Sequence, residues 1–524
     1  MQRKASRWRC LWSALLVSLC LLTAASARAQ IYPDPDKPDK PQGPAPASKK
    51  ALEAERQKRI ALERRAEAMA KRIAEIERRA RRDRRHIGRA LARPPLAGFA
   101  NGNFFVRSRD DWFRLTPSLR LQIDAYFYAP DFDKPGQPGA TLLVRRARPE
   151  LFGHLFGGRV QFMLAGEFAE LPNGRPATDV FLIFNVHRDY ARIQVGQFDL
   201  PFTLENRTSD RYIPFLERSF VVRNLGTATK EPGLMLSGSH PQRLLYYSLG
   251  IFNGAGINMR DFDDHFDVVG RLFVRPLATS TVLFNRVQLG GSFSWGERHL
   301  NNSAYVGGAV PNGGGWLNTP SQYNFFRTVY SGADGNGTKL GVVPEGTIVR
   351  GAVELNVPVG RFVARSEYIY QRSDVNENIL DRAAPLRVGG SLEAHGVYGQ
   401  IAFWPLGNPD ILPDPGVQSA PMFDASGDAP ESDFHLELVA RFDYVWAQYV
   451  AGVDAAPHAL GASQVAGTYK VWDLALGVNL WWTRHVRLSI NYVYHHIDGG
   501  LGVQLPATDQ RFVQELSARA ALAL

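Results

Sequence analysis

The sequence predicts an all-β protein, a 16-stranded antiparallel transmembrane β-barrel preceded by a short N-terminal α-helical coiled coil. Three observations predict this fold. The chain begins like an exported protein, it alternates apolar and polar residues with a period of two beyond residue 109, and the connections between the alternating runs are in turn short and long. Strands with one apolar and one polar face suit a sheet that separates hydrocarbon from water.

Residues 1–29 are predicted to be a secretory signal peptide. A cationic start precedes an apolar core at 10–25, and Ala27-Arg28-Ala29 supplies an A-x-A cleavage site. A single N-terminal anchor is the alternative. Both cysteines, Cys10 and Cys20, lie in this segment, so disulfides, thiol catalysis and cysteine-ligated metals are excluded from the mature chain. No metal or cofactor is expected, and no later stretch approaches the ~18 apolar residues of a transmembrane helix.

A Pro-rich linker at 30–48 is followed by a basic helical segment at 49–93, and the barrel domain is expected at 94–524. The helical segment has an apolar seam with spacings of three and four, which predicts a short coiled coil. A solvated single helix is the alternative. The seam residues are Leu52, Leu62, Ala66, Met69, Ile73, Ile76, Ala80 and Ile87.

The net charge of +10 belongs to the helical segment. Residues 49–93 contain 17 Lys/Arg and 7 Asp/Glu, whereas residues 94–524 contain 37 basic and 41 acidic side chains. A nucleic-acid-binding protein needs a basic face on its folded domain. The charge distribution and the export signal together exclude nucleic acid as a partner.

Sixteen alternating runs are the predicted strands. In 435–444 (HLELVARFDY) the even positions are apolar and the odd positions are polar, with Val439 the one exception. The runs lie near 112–128, 141–152, 158–168, 178–188, 190–198, 232–240, 243–253, 265–275, 281–296, 349–358, 361–372, 392–404, 434–447, 469–482, 485–497 and 509–524.

Alternating short and long connections predict a barrel with two different rims in an outer membrane. The stretch 405–433 departs from this pattern, because it is long where a short turn is expected. Aromatic residues near strand ends predict interfacial girdles, with core packing as the alternative. They are Trp404, Trp446, Tyr449, Trp472, Trp481 and Trp482.

The third long connection, 199–231, is predicted to narrow the pore. A barrel of about sixteen strands is too wide for its inward side chains to fill. Aromatic residues would anchor the loop to the wall while its charges point into water; a surface loop with an ion-pair network is the alternative. The charged candidates at the constriction are Glu205, Arg207, Asp210, Arg211, Glu217, Arg218, Arg223 and Lys230.

The residues VGQFDLPFTLENRTSDRYIPFLERSF (195–220) resemble a G-Q-F-x-x-P-F segment of the phosphate-selective porin O and P family. Further similar stretches follow in order over roughly 110–524, among them LLVRRARPELFGHLF (142–156) and LGVNLWWTRHVRLSINYVY (476–494). The resemblance implies a trimeric outer-membrane channel of sixteen strands, constricted by its third loop, through which small hydrophilic solutes diffuse. Leu524 departs from the aromatic residue that commonly ends such barrels.

Charge selectivity is left open by the residues. Family members selective for phosphate use arginines and a lysine cluster, and no lysine cluster can be placed here; arginines on the polar strand faces could substitute, but acidic residues share those faces. The channel is either anion-preferring or general. The pore-lining candidates are Arg120, Asp124, Arg159, Glu167, Arg192, Arg271, Arg275, Arg365, Glu437, Arg441 and Arg487.

Two other classes of function are an enzyme and a membrane anchor. No G-x-S-x-G or H-E-x-x-H motif occurs, so an enzyme is not expected. The barrel could instead serve as an anchor in outer-membrane lipid, with the basic segment 49–93, expected in the periplasm, tethering the envelope. This role is compatible with channel function.

Overall fold

The computed structural model describes residues 53, 56–57, 60–61, 69, 96–100, 103–129, 140–169, 176–187, 190–227, 230–240, 244–259, 264–280, 283–298, 315–318, 324–327, 329–331, 339–379, 388–413, 415–416, 434–451, 467–498 and 512–524. The predicted signal peptide and Pro-rich linker lie outside these residues. The chain divides into two units, Met1–Ala92 and Arg93–Leu524.

In the first unit the described residues are helical and exposed. They are Glu53, Arg56, Gln57, Ile60, Ala61 and Met69. Association of this segment as a coiled coil remains a prediction. Within the described part of the chain, no helix combines the length and the apolar character needed to cross a membrane.

The second unit is built from antiparallel strands, and the one α-helix among its described residues is Phe220–Leu225. The strands are β1 (Ala97–Ala100), β2 (Asn103–Arg107), β3 (Phe113–Ala129), β4 (Ala140–Leu155), β5 (Val160–Gly166), β6 (Ala177–His187), β7 (Ala191–Asp199), β8 (Lys230–Ser239), β9 (Leu245–Phe252), β10 (Asp267–Val274), β11 (Gln288–Arg298), β12 (Gly315–Asn318), β13 (Asn324–Arg327), β14 (Val329–Ser331), β15 (Lys339–Val359), β16 (Phe362–Ile379), β17 (Val388–Leu406), β18 (His435–Ala451), β19 (Gly467–Thr483), β20 (Val486–Asp498) and β21 (Phe512–Ala523).

Sixteen of these strands, β3 to β11 and β15 to β21, close into a barrel. Each pairs with the next along this order, and β21 pairs with β3, for example Ala518 with Ala125. Closure gives each of the sixteen barrel strands a neighbour on both sides, as a membrane requires because lipid cannot satisfy backbone hydrogen bonds. The predicted 16-stranded antiparallel barrel is confirmed, and every predicted run overlaps one barrel strand.

Alternation assigns one face of each strand to the outside and the other to the lumen. On β19, Leu474, Leu476 and Val478 are 45%, 51% and 44% exposed, whereas Asp473 and Asn479 are buried. The same phase holds on β3, where Ile123 and Phe127 point outward and Asp124 points inward. The outer surface is therefore apolar and the lumenal surface polar.

Aromatic residues mark both edges of the apolar outer surface. Trp472 and Trp482 lie on the outer face of β19, ten positions apart, with the exposed apolar residues between them. At about 3.3 Å per residue and a tilt of about 40°, this spacing is about 25 Å along the barrel axis, the height of a lipid-facing band. Trp446 also faces outward, as the girdle prediction requires.

Trp404 and Trp481 do not belong to a girdle. Both are buried on the lumenal side, and their rings stack with centroids 6.4 Å apart. They pack with Ile411, which follows β17. The girdle prediction is wrong for these two residues because they occupy the inward phase of their strands; the side chain of Tyr449 lies outside the described part.

The connections alternate between a rim of short turns and a rim of long loops. Residues 360–361 and 484–485 are short turns, and 200–229 and 299–338 are long loops. Two connections of the short-turn rim, 275–287 and 407–434, are long. The sequence irregularity at 405–433 is therefore an insertion and not an error of strand order. The predicted run 281–296 begins as a strand only at Gln288, and a β12–β13 hairpin forms within 299–338.

Candidate functional site

The connection between β7 and β8 folds into the barrel. Its side chains from Pro201 to Thr208 are buried, and Leu200, Phe202 and Leu204 are fully inaccessible to solvent. They lie within the barrel, because their backbone N–H groups bond to lumenal side chains of the wall: Thr203 donates to the Ser292 hydroxyl at 3.1 Å, and Leu204 donates to Glu367 at 2.7 Å. We call residues 200–229 the constriction loop.

Aromatic anchors hold the constriction loop on the inner wall. Phe215 packs against Val363, Ala402, Val439 and Ala475, which come from four consecutive strands. The single apolar residue in the polar phase of the 435–444 run thus has a structural role, since Val439 faces the lumen to receive this ring. The predicted packing of the loop by its aromatic residues is found here.

A short helix, Phe220–Leu225, lies near the end of the described part of the constriction loop. Ser219 is its N-cap, and the hydroxyl of Ser219 accepts a hydrogen bond from the Val221 N–H at 3.1 Å and donates one to Asp443. Gly396 on β17 leaves room for the helix, because a Cβ there would come within 2.5 Å of Val221. Phe220, Val221, Val222 and Leu225 are buried.

Asp210 of the loop is bound by arginines of the wall. Its carboxylate pairs with Arg120 of β3 and lies 2.7 Å from Nε of Arg146 and 4.0 Å from Arg148 on β4. Burial by itself would raise the pKa of Asp210, but the charges of these three arginines outweigh that effect and hold it well below its usual range. The carboxylate is thus ionised and fixed to the wall.

Glu217 makes the second charged attachment. Its Oε1 lies 2.8 Å from Nε of Arg145 and 3.3 Å from Nη2 of Arg519, and Arg519 in turn donates twice to Asp124 at 2.7 Å. The surrounding arginines overcome the effect of burial and lower the pKa of Glu217 well below its ordinary value. Bidentate arginine–carboxylate pairing of this kind fixes orientation as well as distance.

A bulge in β4 brings Arg145 to this site. The pairing of β3 with β4 shifts between Gln122 and Ile123, whose partners are Arg146 and Val144, so the strand register skips Arg145. Two adjacent residues, Arg145 and Arg146, therefore both reach the constriction loop. Strict alternation would have directed one of them to lipid.

Arg211 and Arg441 connect the loop to other parts of the wall. Arg211 pairs with Glu150 and donates to the hydroxyl of Ser118 and to the Leu524 carbonyl, both at 3.0 Å. Arg441 pairs with Asp443 at 2.8 Å, lies 3.9 Å from Glu205 and covers the ring of Phe215 at 4.4 Å. Each guanidinium thus bridges strand and loop.

Backbone groups of the loop are held by a wall carboxylate. The N–H groups of Leu204 and Glu205 donate to the two oxygens of Glu367 at 2.7 and 2.9 Å, and the Tyr398 hydroxyl donates to the same carboxylate at 2.7 Å. Burial raises the pKa of Glu205 itself, with Arg441 and the Ser219 N–H acting in the opposite direction. The loop therefore begins at a clamped turn.

The expectation that the loop charges point into water is wrong for most of them. Glu205, Arg207, Asp210, Arg211 and Glu217 are buried, because each finds an opposite charge or a backbone acceptor on the loop or the inner wall. Arg207 donates to the Asp199 carbonyl, and Arg218 donates to the carbonyls of Glu205, Asn206 and Thr208. Lys230, the first residue of β8, pairs with Asp179 and Asp199 at 2.6 and 2.7 Å.

The insertion at 407–416 approaches the loop from the other rim. The N–H of Gly416 donates to the Thr208 hydroxyl at 3.0 Å, and its carbonyl accepts from Arg271 at 2.5 Å. Arg271 is also fixed by two hydrogen bonds to Glu354, at 2.8 and 2.7 Å. A cavity of about 30 Å³ separates Pro214 of the loop from Pro415 of the insertion.

The structure places most pore-lining candidates on the lumenal face. This group comprises Arg120, Asp124, Glu167, Arg192, Arg271, Arg275, Arg365, Glu437, Arg441 and Arg487. Arg159 is different: it is exposed in the turn 156–159 of the short-turn rim, so its assignment to the pore lining is wrong. β5 begins only at Val160, so Arg159 precedes the alternating part of the predicted run. Arg223 is half-buried in the helix.

Several residues at the site were not among the candidates. Arg145, Arg146, Arg148 and Arg519 bind the loop carboxylates, as described above. The alternation of the last strand places Arg519 on the polar face, which could have identified it as a lumenal residue. The R-R-A-R run at 145–148 could have identified the other three. Their partners could not be identified from sequence because loop and wall are distant along the chain.

The sequence model of the family described as "Phosphate-selective porin O and P" matches residues 116–499. No curated protein matches the chain. Solved structures similar to it include OmpT of Vibrio cholerae (11% identity, 80% of this chain, 100% of that chain, TM-score 0.47) and the outer membrane channel DcaP of Acinetobacter baumannii (12%, 82%, 100%, 0.44). An anion-selective porin from Comamonas acidovorans is similar at 11% identity, with 79% and 100% coverage and a TM-score of 0.43.

Proposed function

The chain belongs to the phosphate-selective porin O and P family, and from that premise we propose that its lumen prefers small anions, phosphate among them. It is an outer-membrane channel with the constriction loop in its lumen, which points to passive diffusion and not to enzymatic catalysis. Inorganic phosphate and chloride are the simplest solutes of the proposed class.

Arginines with neutral partners carry the proposal of anion preference. Arg218 donates to three backbone carbonyls, Arg487 donates to the Ile213 carbonyl at 2.6 Å, and Arg365 donates to Asn356 at 3.1 Å. These acceptors carry no net charge, so no hydrogen-bonded carboxylate cancels the positive charges. Arg218 and Arg365 are half-buried, and Arg487 is buried against Trp481. A cation in a narrow wet passage attracts anions strongly because the low-dielectric wall focuses its field.

The ion pairs around the loop oppose a strong preference. The cluster is almost neutral, because six arginines face five carboxylates. The arginines are Arg120, Arg145, Arg146, Arg148, Arg211 and Arg519, and the carboxylates are Asp124, Glu150, Glu167, Asp210 and Glu217. We therefore expect a moderate anion preference set by the arginines with neutral partners. A general, non-selective porin is the alternative.

Single-channel recording in a planar bilayer tests the preference. Under a salt gradient, the reversal potential is expected to have the sign of anion selectivity, and added phosphate is expected to reduce the chloride current. The double variant R365Q/R487Q should lower the anion preference, while R361Q, on an exposed residue of the short-turn rim, should leave it unchanged. Cation selectivity together with no phosphate effect contradicts the proposal and leaves the porin assignment intact.

A tethering role is proposed for the basic helical segment. Its 17 basic and 7 acidic residues would attract an anionic polymer of the envelope, and its seam would support association of three copies. On this proposal the signal peptide is removed and the segment lies in the periplasm on the short-turn side. Deleting 49–93 is expected to weaken cross-linking as a homotrimer and co-sedimentation with the cell wall without changing conductance.

A further inference from the structure

A β-hairpin precedes the barrel and extends its wall. Strands β1 and β2 are antiparallel neighbours. β2 also pairs with β3, where Val106 lies opposite Leu115 and Arg107 lies opposite Arg114. The last barrel strand uses the same edge of β3 but ends at Arg120 and Leu119. The hairpin thus occupies the edge that β21 leaves free at the short-turn rim.

The outer face of the hairpin is aromatic and exposed. Phe99, Phe104 and Val106 are 58%, 55% and 48% exposed, and the rings of Phe99 and Phe104 lie edge to face at 4.9 Å. We call these three residues the hairpin patch. An exposed aromatic cluster of this kind on a pair of hydrogen-bonded strands indicates a contact surface.

The inner face of the hairpin fixes its orientation. Phe105 is 8% exposed, and the guanidinium groups of Arg114 and Arg107 lie 5.0 and 5.7 Å from the centre of its ring. Gly98 lies opposite, and a Cβ there would come within 3.1 Å of that ring. With Phe105 held inward, strand alternation must direct Phe104 and Val106 outward.

The hairpin patch continues the lipid-facing surface of the barrel. Val106 pairs with Leu115, and outward positions then follow on β3 at Leu119 and Ile123, both exposed. Two further exposed aromatic rings, Trp112 and Phe156, lie 6.1 Å apart at the same rim. The apolar outer face thus continues past the end of β21 onto the hairpin.

We propose that the hairpin patch is a membrane contact that inserts into the headgroup region of the phospholipid leaflet on the short-turn side. The occupant is lipid because the patch is continuous, in the same strand phase, with a surface that lipid already covers. Aromatic side chains are favoured at this depth, where one part of the ring meets acyl chains and another meets headgroups. The contact would hold the chain at the membrane surface directly before the barrel begins.

Depth-dependent fluorescence quenching tests this proposal on the full chain with Cys10 and Cys20 replaced by serine. The single-cysteine variants F104C and V106C are labelled with an environment-sensitive fluorophore. Each labelled protein is reconstituted into phosphatidylethanolamine/phosphatidylglycerol vesicles. I123C in the lipid-facing band and R159C in the exposed turn are the matched controls. Heat-modifiable migration on a gel shows for each variant that the barrel has formed.

We expect the fluorophores at 104 and 106 to be shifted to the blue and quenched by lipids brominated near the headgroup. The fluorophore at 123 should be quenched by deeply brominated lipids, and that at 159 only by aqueous iodide. Iodide quenching at 104 equal to that at 159 overturns the proposal. Protection from both quenchers also overturns it, because a second protein copy would then cover the patch. Neither result bears on anion preference, since the inference rests only on the barrel spanning a membrane.

Discussion

The hydroxyl of Thr208 accepts a hydrogen bond from the backbone N–H of Gly416 at 3.0 Å. Thr208 belongs to the constriction loop, which enters from the long-loop rim, and Gly416 belongs to the insertion, which enters from the short-turn rim. Two segments more than 200 residues apart in sequence therefore meet inside the lumen. Both segments narrow the passage. The polar bond can be removed by substitution, and beside it Tyr212 of the loop packs against the cluster of Trp404, Ile411 and Trp481.

Thr208→Val is expected to loosen the insertion. Valine has the shape of threonine but offers no acceptor, so the buried Gly416 N–H loses its partner at a cost of about 1–3 kcal/mol. Single-channel recordings should show larger and noisier open currents. Thr208→Ser, which keeps the hydroxyl, should resemble the natural protein; equal noise in the valine variant would show that the contact does not restrict the passage.

Asp210→Asn is expected to increase anion selectivity. The substitution removes the carboxylate shared by Arg120 and Arg146, and breaking a buried ion pair in this way costs about 3–5 kcal/mol. The reversal potential under a salt gradient should shift toward that of an anion. Asp110→Asn is the matched control, since Asp110 lies exposed outside the lumen, 2.7 Å from the Ser108 hydroxyl. No shift in the Asp210 variant would contradict the electrostatic role.

The contribution of Asp210 should depend on pH with a definite sign. Its pKa is lowered in the folded protein, so its stabilisation is complete above the ordinary carboxyl pKa of about 4 and is lost as the pH falls further. The stability difference between the natural protein and Asp210→Asn should be constant from about pH 5 to about pH 8 and shrink below about pH 4. Thermal unfolding in detergent measures it. If the stability difference instead grew as the pH fell below about 4, the lowered pKa of Asp210 would be refuted.

Glu205→Gln should show the opposite trend. The pKa of Glu205 is raised, so the stabilisation that it contributes is present below the ordinary carboxyl pKa and declines as the pH rises through the raised value. The substitution should therefore be least harmful at neutral pH. The same unfolding series provides the comparison, and a parallel response of both variants would exclude different environments for the two carboxylates.

Glu367→Gln is expected to release the start of the constriction loop. A glutamine presents one N–H₂ group where the two backbone donors of Leu204 and Glu205 need oxygen, and a buried N–H left without an acceptor costs about 1–3 kcal/mol. Trypsin should then cleave reconstituted protein after Arg207 or Arg211. Tyr398→Phe leaves both backbone bonds in place and should stay resistant. Resistance of both variants would show that other contacts suffice to hold the loop.

The barrel could be predicted from sequence because alternation is a local property. A residue's place in a strand decides whether it faces lipid or lumen. Runs such as 435–444 and 485–497 therefore already indicate strands with one apolar and one polar face. The alternation of short and long connections indicates that consecutive strands are neighbours in the barrel. The constriction loop was also predictable, since its aromatic residues and its place between the fifth and sixth strands indicate an inward course. Where the local rule is broken, as by Val439, the reason lies in a distant contact.

Tertiary structure alone decided what the charges do. Arg120, Asp210 and Arg519 come close only after the barrel has closed and the loop has entered it, and no spacing in the sequence encodes their distances. Contacts between distant parts of the chain also explain three other features. They are the bulge at Arg145, the inward orientation of Trp404 and Trp481, and the hydrogen bond between Gly416 and Thr208. Sequence determined the sidedness of each strand because that depends on neighbours along the chain; the attachment of the loop depends on neighbours in space.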